Sequence, residues 1–174
     1  MQTHLKRISI FAPIIMLIAL RLTFGPSSAH SAEAAAGKLI VVSLSQGQLY
    51  AYQGGKQIFS TKVVTGRPDL TTPIGTFHVF RKLSNVTFYS PWRKDSPYWY
   101  APSHVNHALE FLRRGYYLHD SWWRTAYGPG TNGWHDDPVY GWEWGTHGCV
   151  AMPDSAASWL YKWTPIGTMV QIKK

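Results

Sequence analysis

Cysteine is nearly absent from this sequence, which has one, Cys149, among 174 residues. A single cysteine cannot form an intramolecular disulfide, so the fold depends on its own core. The length is sufficient for one domain with a sizeable core. An unpaired cysteine is either a reactive thiol or a buried residue that packs as a small hydrophobe. Composition alone leaves both alternatives open.

Acidic residues are also scarce, nine against 17 lysines and arginines. The excess of positive charge favours an anionic partner, such as cell wall, acidic lipid or nucleic acid. No dense basic run exists, and the basic pairs are dispersed, which is typical of solvated surface. We therefore predict no nucleic-acid partner.

Long apolar runs are limited to one, residues 8–20, which follows Lys6 and Arg7. It is shorter than the roughly 20 residues of a membrane-spanning helix and suits the apolar core of a signal peptide. We predict a signal peptide and short linker over residues 1–36 and a folded domain over residues 37–174. Small residues allow cleavage after Ala29, Ala34 or Ala36. The alternative is an uncleaved membrane anchor. In both cases we expect an exported domain, in the periplasm or cell wall.

Alternating and β-branched segments predict a mainly β domain. Short turns at residues 45–47 and 54–55 separate the first three predicted strands and indicate an antiparallel meander. Residues 84–105 and 120–145 are rich in turn formers and aromatic residues, and we interpret them as excursions between strands. The predicted strands cover residues 38–44, 48–53, 56–64, 75–83, 107–112, 116–119 and 169–172.

Helical periodicity is convincing only in residues 155–163, shortly after the cysteine. Ala156, Trp159 and Leu160 recur at helical spacing, and Asp154 is a candidate N-cap. The pattern therefore predicts a mainly β fold with one main helix.

The segment Thr146-His147-Gly148-Cys149 can carry thiol chemistry. A thiol is a nucleophile as thiolate and needs a nearby base or positive field. Gly148 can adopt backbone angles that let consecutive N–H groups converge on an oxyanion. His147 is near in sequence, but residues i and i+2 of a glycine turn do not automatically face each other. A second histidine can therefore be the base.

His119 is the best candidate for that base, because it ends a predicted strand at the mouth of a loop, where sites tend to lie. The alternative is a surface histidine at a strand end.

In this order, the motifs resemble the L,D-transpeptidase catalytic domain (YkuD type) of bacterial cell-wall enzymes. The resemblance runs from about Lys38 to the C-terminus. It rests on His119 followed by THGCV at residues 146–150, on Thr65-Gly66, and on TPIGTF at residues 72–77. The first hairpin (residues 39–56) and the last strand (PIGTMVQI) also look like those of the family.

The resemblance implies a β-sandwich or open barrel in which Cys149 is the nucleophile and His119 the general base. The backbone carbonyl of Asp120 would orient His119, while N–H groups of Gly148 and Cys149 would hold the oxyanion. His147 would shape the pocket. The substrate-binding candidates are Thr146, Arg124 and Trp144.

The implied substrate is a peptidoglycan tetrapeptide stem. Cys149 would attack the bond between the third residue and the terminal D-Ala, and an amine of a second stem would resolve the thioester to a 3→3 cross-link. No metal or organic cofactor is implied, and a monomer is expected. Alternatives are an L,D-carboxypeptidase, attachment of a protein to peptidoglycan by the same acyl-enzyme, and a non-catalytic peptidoglycan-binding module.

Two departures from the family pattern concern the surroundings of the site. The spacer between His119 and Thr146 holds 26 residues, longer than usual, and its insertion can form a lid or a subsite wall. Ala151 stands where many members carry Arg or Asn, which removes a substrate contact expected there.

Other chemistries lack their sequence features. A zinc hydrolase could draw ligands from a set of seven side chains, but no HExxH or CxxC pattern is present. A sortase would need an arginine after the cysteine, and other cell-wall cysteine peptidases a histidine there; neither follows Cys149. The seven side chains are His119, His135, Asp136, Asp137, Glu143, His147 and Cys149.

Overall fold

The computed structural model describes residue 35 and residues 37–174. The predicted signal peptide and linker, apart from residue 35, lie outside the described residues. Within the described part of the chain, no helix is both long and apolar enough to cross a membrane.

Eleven strands and one main helix make up the described chain, which confirms the predicted mainly β fold with a main helix after Cys149. In chain order the elements are β1 (Lys38–Ser43), β2 (Gln48–Gln53), β3 (Lys56–Lys62), β4 (Gly75–His78), β5 (Arg81–Phe88), β6 (Ser103–Leu112), β7 (Tyr116–Asp120), β8 (His135–Asp137), β9 (Gly141–Glu143), β10 (Val150–Met152), α1 (Asp154–Trp163) and β11 (Met169–Lys173).

The strands form two main sheets. One has five strands in the order β3-β2-β1-β11-β4, and the other has four in the order β10-β7-β6-β5. The first three strands pair antiparallel, as the predicted meander requires. Each sheet also contains one parallel pair. In the first sheet β11 is parallel to β1, and in the second β10 is parallel to β7. A separate two-stranded hairpin joins β8 and β9.

One apolar cluster joins both sheets and the helix. Its members come from β1, β2, β6, β7, β10, β11 and α1, so the core lies between the two sheets with α1 packed on it. Along β11 buried and exposed residues alternate, as expected for a strand with one face on a core. The largest fully buried side chains include Ile40, Leu49, Leu109, Leu118, Met152, Leu160 and Ile172.

Two lysines, one from each main sheet, hold the C-terminal end of α1. Lys82 Nζ on β5 donates to the carbonyls of Tyr161 (2.6 Å) and Thr164 (2.7 Å). Lys38 Nζ on β1 donates to the carbonyl of Trp163 at 2.7 Å. The ammonium groups satisfy carbonyls that have no partner within the helix and complement its negative end. The segment that follows the cysteine is therefore fixed to both sheets.

The prediction of one strand over residues 75–83 was wrong, because this range contains β4 and the start of β5, which lie in different sheets. At the crossing, the Val79 N–H bonds to the Thr168 carbonyl (2.9 Å), whereas the Phe80 N–H bonds to the Glu110 carbonyl (3.0 Å). The alternating pattern continues through this crossing, so it cannot reveal the change of partner.

The predicted cap of α1 was also wrong. Pro153 occupies the N-cap position, and Asp154 is the first helical residue. The Asp154 carboxylate accepts a hydrogen bond from the Asn106 side-chain amide at 3.1 Å. Its charge still lies in the first turn, where it complements the helix dipole.

The excursions contain more strand than predicted. Strand β5 extends to Phe88 and β6 begins at Ser103, and the second excursion includes the β8–β9 hairpin. Within β5, Asn85 has a positive φ of 55°, which interrupts the regular alternation that strand prediction relies on.

Candidate active site

Cys149 and His119 are brought to one face of a sheet by the pairing of β10 with β7. The register places Ala151 opposite His119 and Val150 opposite Leu118. Side chains alternate between the faces of a strand, and paired residues share a face. Since Cys149 directly precedes β10, two positions before Ala151, its thiol belongs to the same face as the His119 imidazole.

His119 is buried and held in one orientation. Its Nδ1 lies 2.7 Å from the backbone carbonyl oxygen of Asp120, which can only accept a hydrogen bond. Nδ1 therefore carries the proton, and Nε2 presents a lone pair. The ring also meets Phe88 edge-on, with centroids 5.3 Å apart. Burial lowers the pKa of His119, although the bond to Asp120 acts in the other direction, so the ring is neutral at pH 7.

The Asp120 side chain fixes the carbonyl that orients His119. Its two carboxylate oxygens accept the backbone N–H groups of His107 (2.7 Å) and Asn106 (3.1 Å) on β6. The residue has no solvent exposure. Because buried charge-assisted bonds are strong, β6 and β7 are locked together next to the imidazole.

The Cys149 thiol is neutral in the free protein. Burial raises its pKa to about 11, and the Glu110 carboxylate adds to the effect, whereas the Tyr117 backbone N–H lowers it. Sγ lies 3.3 Å from the Gly115 carbonyl oxygen, to which the thiol can donate. A proton must therefore leave sulfur during any attack by Cys149.

Thr146 closes the turn that carries the thiol. Its hydroxyl donates to the Cys149 carbonyl at 2.5 Å and accepts the Gly148 N–H at 3.2 Å. Thr146 is itself held by backbone bonds to Thr65 and Arg67, both 2.9 Å. The Thr65-Gly66 turn singled out in the sequence thus supports the cysteine turn.

Gly148 is required for two reasons. Its φ of 105° lies in a region that L side chains rarely adopt. A Cβ on this residue would also approach Cε1 of Tyr116 to 2.6 Å, closer than carbon atoms pack. Any side chain at this position would therefore have to displace the Tyr116 ring or the turn that carries the thiol.

His147 faces a different group of residues from His119. Its ring packs against Trp92 (5.2 Å between centroids) and Tyr100 (5.1 Å), which come from the segment between β5 and β6. Burial lowers the pKa of His147, and the charge of Arg67 adds to the effect. A second neutral imidazole therefore flanks the thiol within an aromatic wall.

A cavity of about 150 Å³ opens over the thiol. Its walls combine the predicted histidines and cysteine with aromatic residues that the sequence did not single out. Trp123 lies in the HDSWWR segment that begins at His119, so its position in the sequence gave some indication that it is near the site. No sequence motif indicated Phe88, Tyr100 or Ser103. The lining residues are Phe88, Tyr100, Ser103, His119, Trp123, Arg124, Thr146, His147, Cys149 and Ala151.

Arg124 forms part of the cavity wall as a buried cation. Its Nη1 lies 2.7 Å from Oε2 of Glu143 on β9, and its side chain is 10% exposed. Burial lowers the pKa of Arg124, while Glu143 opposes that shift. The positive charge of Arg124 in turn lowers the pKa of both His119 and His147. It thereby helps to keep both imidazoles neutral.

One group of metal-ligand side chains occurs in residues 37–174, formed by His107, Asp120 and Asp154 within 4.8 Å of one another. It shares no member with the seven side chains considered for zinc. Asp120 and Asp154 are engaged with backbone or amide donors from Asn106 and His107. We therefore interpret these carboxylates as structural.

The profile of the YkuD family, described as the L,D-transpeptidase catalytic domain, matches residues 37–172. The chain belongs to this family. The L,D-transpeptidase domain is 30% identical over 112 residues to the probable L,D-transpeptidase 3 of Mycobacterium tuberculosis. That alignment covers 63% of this chain but 36% of the relative, so the chain spans about a third of that protein.

Solved structures of L,D-transpeptidases have a similar fold. The catalytic domain of an E. faecium L,D-transpeptidase is 29% identical, with a TM-score of 0.62, and the match covers 78% of this chain and 96% of that one. The M. tuberculosis L,D-transpeptidase 3, in complex with a faropenem-derived adduct, has a TM-score of 0.64. It is 24% identical, over 79% of this chain and 60% of the other, so this likeness concerns the fold alone.

The long spacer of this L,D-transpeptidase domain is organised by Asp137 on β8. The buried carboxylate accepts the Thr125 N–H and hydroxyl, both at 2.6 Å, and the Ala126 N–H at 2.8 Å. It also accepts the N–H groups of Val139 (3.0 Å) and Tyr140 (3.1 Å). Burial opposes ionisation, but these donors hold the pKa of Asp137 well below its usual range. The hairpin is thus fixed to the segment that follows His119.

Trp144 lies outside the cavity wall. The Arg67 guanidinium lies over its ring at 4.5 Å, and the Trp134 ring lies 5.2 Å from it between centroids. Of the three predicted substrate-binding residues, Thr146 and Arg124 line the cavity, whereas Trp144 directly follows β9 of the neighbouring hairpin.

We predict that Gly148→Ala slows acylation of Cys149 about a hundredfold while the fold survives. The Tyr116 clash and the positive φ displace the thiol, and a displacement near 1 Å costs about a hundredfold in rate. The measurement is the rate of mass increase with a carbapenem. Gly130→Ala is the matched control, since Gly130 also has a positive φ (87°) but open space around it. Equal acylation rates in the two variants would show that glycine at position 148 has no special role in positioning the thiol.

We predict that Asp137→Asn destabilises the domain by about 2–3 kcal/mol, because an amide NH₂ would face N–H donors in place of a charged acceptor. Urea unfolding measures the change. Asp136→Asn, an exposed neighbour on the same strand, should change stability little. A comparable loss in both variants would show that Asp137 has no special role.

Proposed function

We propose that this L,D-transpeptidase domain cross-links peptidoglycan through a thioester on Cys149. The observation that carries the proposal is the common placement of Cys149 and an oriented, neutral His119 on one sheet face, at the wall of one cavity. The family membership supports the same reaction class. The donor is a tetrapeptide stem, and the product is a 3→3 cross-link.

The first half-reaction transfers one proton from sulfur to nitrogen. As Cys149 Sγ attacks the carbonyl carbon before the terminal D-Ala, its proton passes to His119 Nε2. The tetrahedral intermediate collapses, the C–N bond breaks, and His119 returns the proton to the departing amine of D-Ala. A thioester and a neutral imidazole remain.

The second half-reaction reverses the proton path. An amine of a second stem attacks the thioester carbonyl and loses a proton to His119. When the C–S bond breaks, that proton returns to Cys149. If water takes the place of the amine, the same acyl-enzyme acts as an L,D-carboxypeptidase.

The oxyanion is stabilised by the backbone N–H groups of Gly148 and Cys149. In the free protein the Gly148 N–H is donated to the Thr146 hydroxyl, in a rather long bond of 3.2 Å. A developing negative charge is a stronger acceptor than a hydroxyl, so it competes successfully for this donor. Thr146 therefore holds the N–H in position until the transition state forms.

The remaining predicted residues have supporting roles. Asp120 orients His119 through its carbonyl, and His147 shapes the pocket next to the thiol. Arg124 binds a carboxylate of the stem peptide, for which its buried, cavity-lining cation is suited. Substrate binding then replaces part of its contact with Glu143.

The partner and location follow from the reaction. Peptidoglycan stems occur outside the cytoplasm, so residues 1–36 act as a signal peptide with a short linker, or as an anchor that keeps the domain at the membrane. Residues 37–174 form the catalytic domain, which works as a monomer without a cofactor. The net positive charge of the chain favours approach to an acidic wall.

We predict that the wild-type chain releases D-Ala from a disaccharide-tetrapeptide and forms a cross-linked dimer, as followed by mass spectrometry. Cys149→Ala should do neither, and His119→Gln should lower the rate about 10²–10⁴-fold, the range expected for a general base. Release of D-Ala without dimer would indicate the carboxypeptidase. Retained activity in Cys149→Ala would falsify the mechanism.

We predict that alkylation of Cys149 by iodoacetamide accelerates with pH up to about pH 11, without a plateau near neutrality. A raised thiol pKa leaves sulfur protonated below that value, and a histidine with a lowered pKa cannot supply a positive charge at pH 7. Mass spectrometry gives the rate, and glutathione serves as the control. A plateau below pH 7 would instead indicate a preformed thiolate–imidazolium pair.

A further inference from the structure

Three exposed tryptophans lie on or directly beside the β8–β9 hairpin: Trp134, Trp142 and Trp144, called the aromatic platform below. Their exposed fractions are 53%, 62% and 39%. Tryptophan is usually well buried, and adjacent exposed aromatic residues mark an interaction surface.

The three rings support one another. Trp134 stacks on Trp142 with centroids 5.7 Å apart and planes 16° apart, and it contacts Trp144 at 5.2 Å. The Arg67 guanidinium covers part of Trp144 at 4.5 Å. The rings are therefore held before any ligand arrives, and little side-chain entropy is lost on binding.

The platform is also fixed relative to the cavity. A two-stranded hairpin is marginal alone, but Asp137 ties this one to the segment after His119. The Arg124–Glu143 ion pair joins β9 to the cavity wall. Thr146, which lines the cavity, follows Trp144 by two residues. A ligand on the platform is thus a neighbour of the thiol.

The aromatic faces of the hairpin indicate the class of ligand. Residues 133–144 contain no lysine or arginine. Asp137 is buried and Glu143 pairs with Arg124, so the surface that the platform offers is mainly aromatic. Flat indole faces suit the C–H face of a sugar ring, because weakly positive hydrogens meet the negative face of the indole.

We propose that the aromatic platform binds the glycan strand of peptidoglycan and presents its attached stem peptide to Cys149. The inference rests on the proposed function and adds a second, sugar-binding subsite to it. Glycan binding on β8–β9 gives the long spacer a role in the selection of polymeric over free-peptide donors.

The test uses the full chain and a peptide-free tetrasaccharide of two N-acetylglucosamine–N-acetylmuramic acid units, titrated by calorimetry. Trp142→Ala and Trp134→Ala should each weaken binding about tenfold, the scale expected for loss of an aromatic contact. Trp99→Ala is the matched control, since Trp99 is a partly exposed tryptophan outside the hairpin (37%), and it should bind as the wild type does.

Turnover separates this inference from the proposed function. Trp142→Ala should raise KM for glycan-linked tetrapeptide and leave release of D-Ala from free tetrapeptide unchanged. The glycan-binding proposal would be overturned if the tetrasaccharide did not bind, or if all variants bound it with equal affinity. It would also be overturned if Trp142→Ala abolished self-association of the protein while its affinity for the glycan stayed constant. If no substrate loses D-Ala but the tetrasaccharide binds through Trp142, the proposed function fails and the platform stands.

Discussion

The parallel pairing of β10 with β7 is the constraint on which the site depends. A shift of one residue would turn Cys149 to the opposite face of the sheet from His119, because side chains alternate along a strand. The register is held from the other side by Val64, whose N–H and carbonyl exchange bonds of 2.9 Å with Ala151. The position of the thiol is therefore specified by β7 on one side of β10 and by an isolated bridge to Val64 on the other.

Much of the fold could be predicted because it depends on local patterns. The meander, the strand that carries His119 and the main helix after Cys149 follow from alternation, turn residues and helical spacing. The crossing at Val79 and Phe80 could not be predicted, since a strand that leaves one sheet for another keeps its alternation. Asp154 has the chemistry of a cap, but the preceding Pro153 takes that position.

The residues of the site were predictable where a motif names them, and less so where tertiary contacts give them their properties. The order of His119 and Cys149 led to the prediction that they act as a pair, and the structure brings both to the wall of one cavity. Burial among residues distant in sequence, such as Phe88 beside His119, shifts the pKa of each group toward its neutral form. The Arg124–Glu143 pair and the five bonds to Asp137 join positions that share no periodic pattern, so only the folded chain reveals that the long spacer is ordered.

The high pKa of the Cys149 thiol has a consequence for the chemical durability of the protein. Peroxides and disulfides react with thiolate, and a proton on sulfur slows both reactions. A thiol of ordinary pKa would be oxidised faster, and this chain has no second cysteine to form a reversible intramolecular disulfide. A proton held on sulfur therefore slows oxidation of Cys149. In the proposed mechanism, His119 removes that proton only as the thiol attacks the bound substrate.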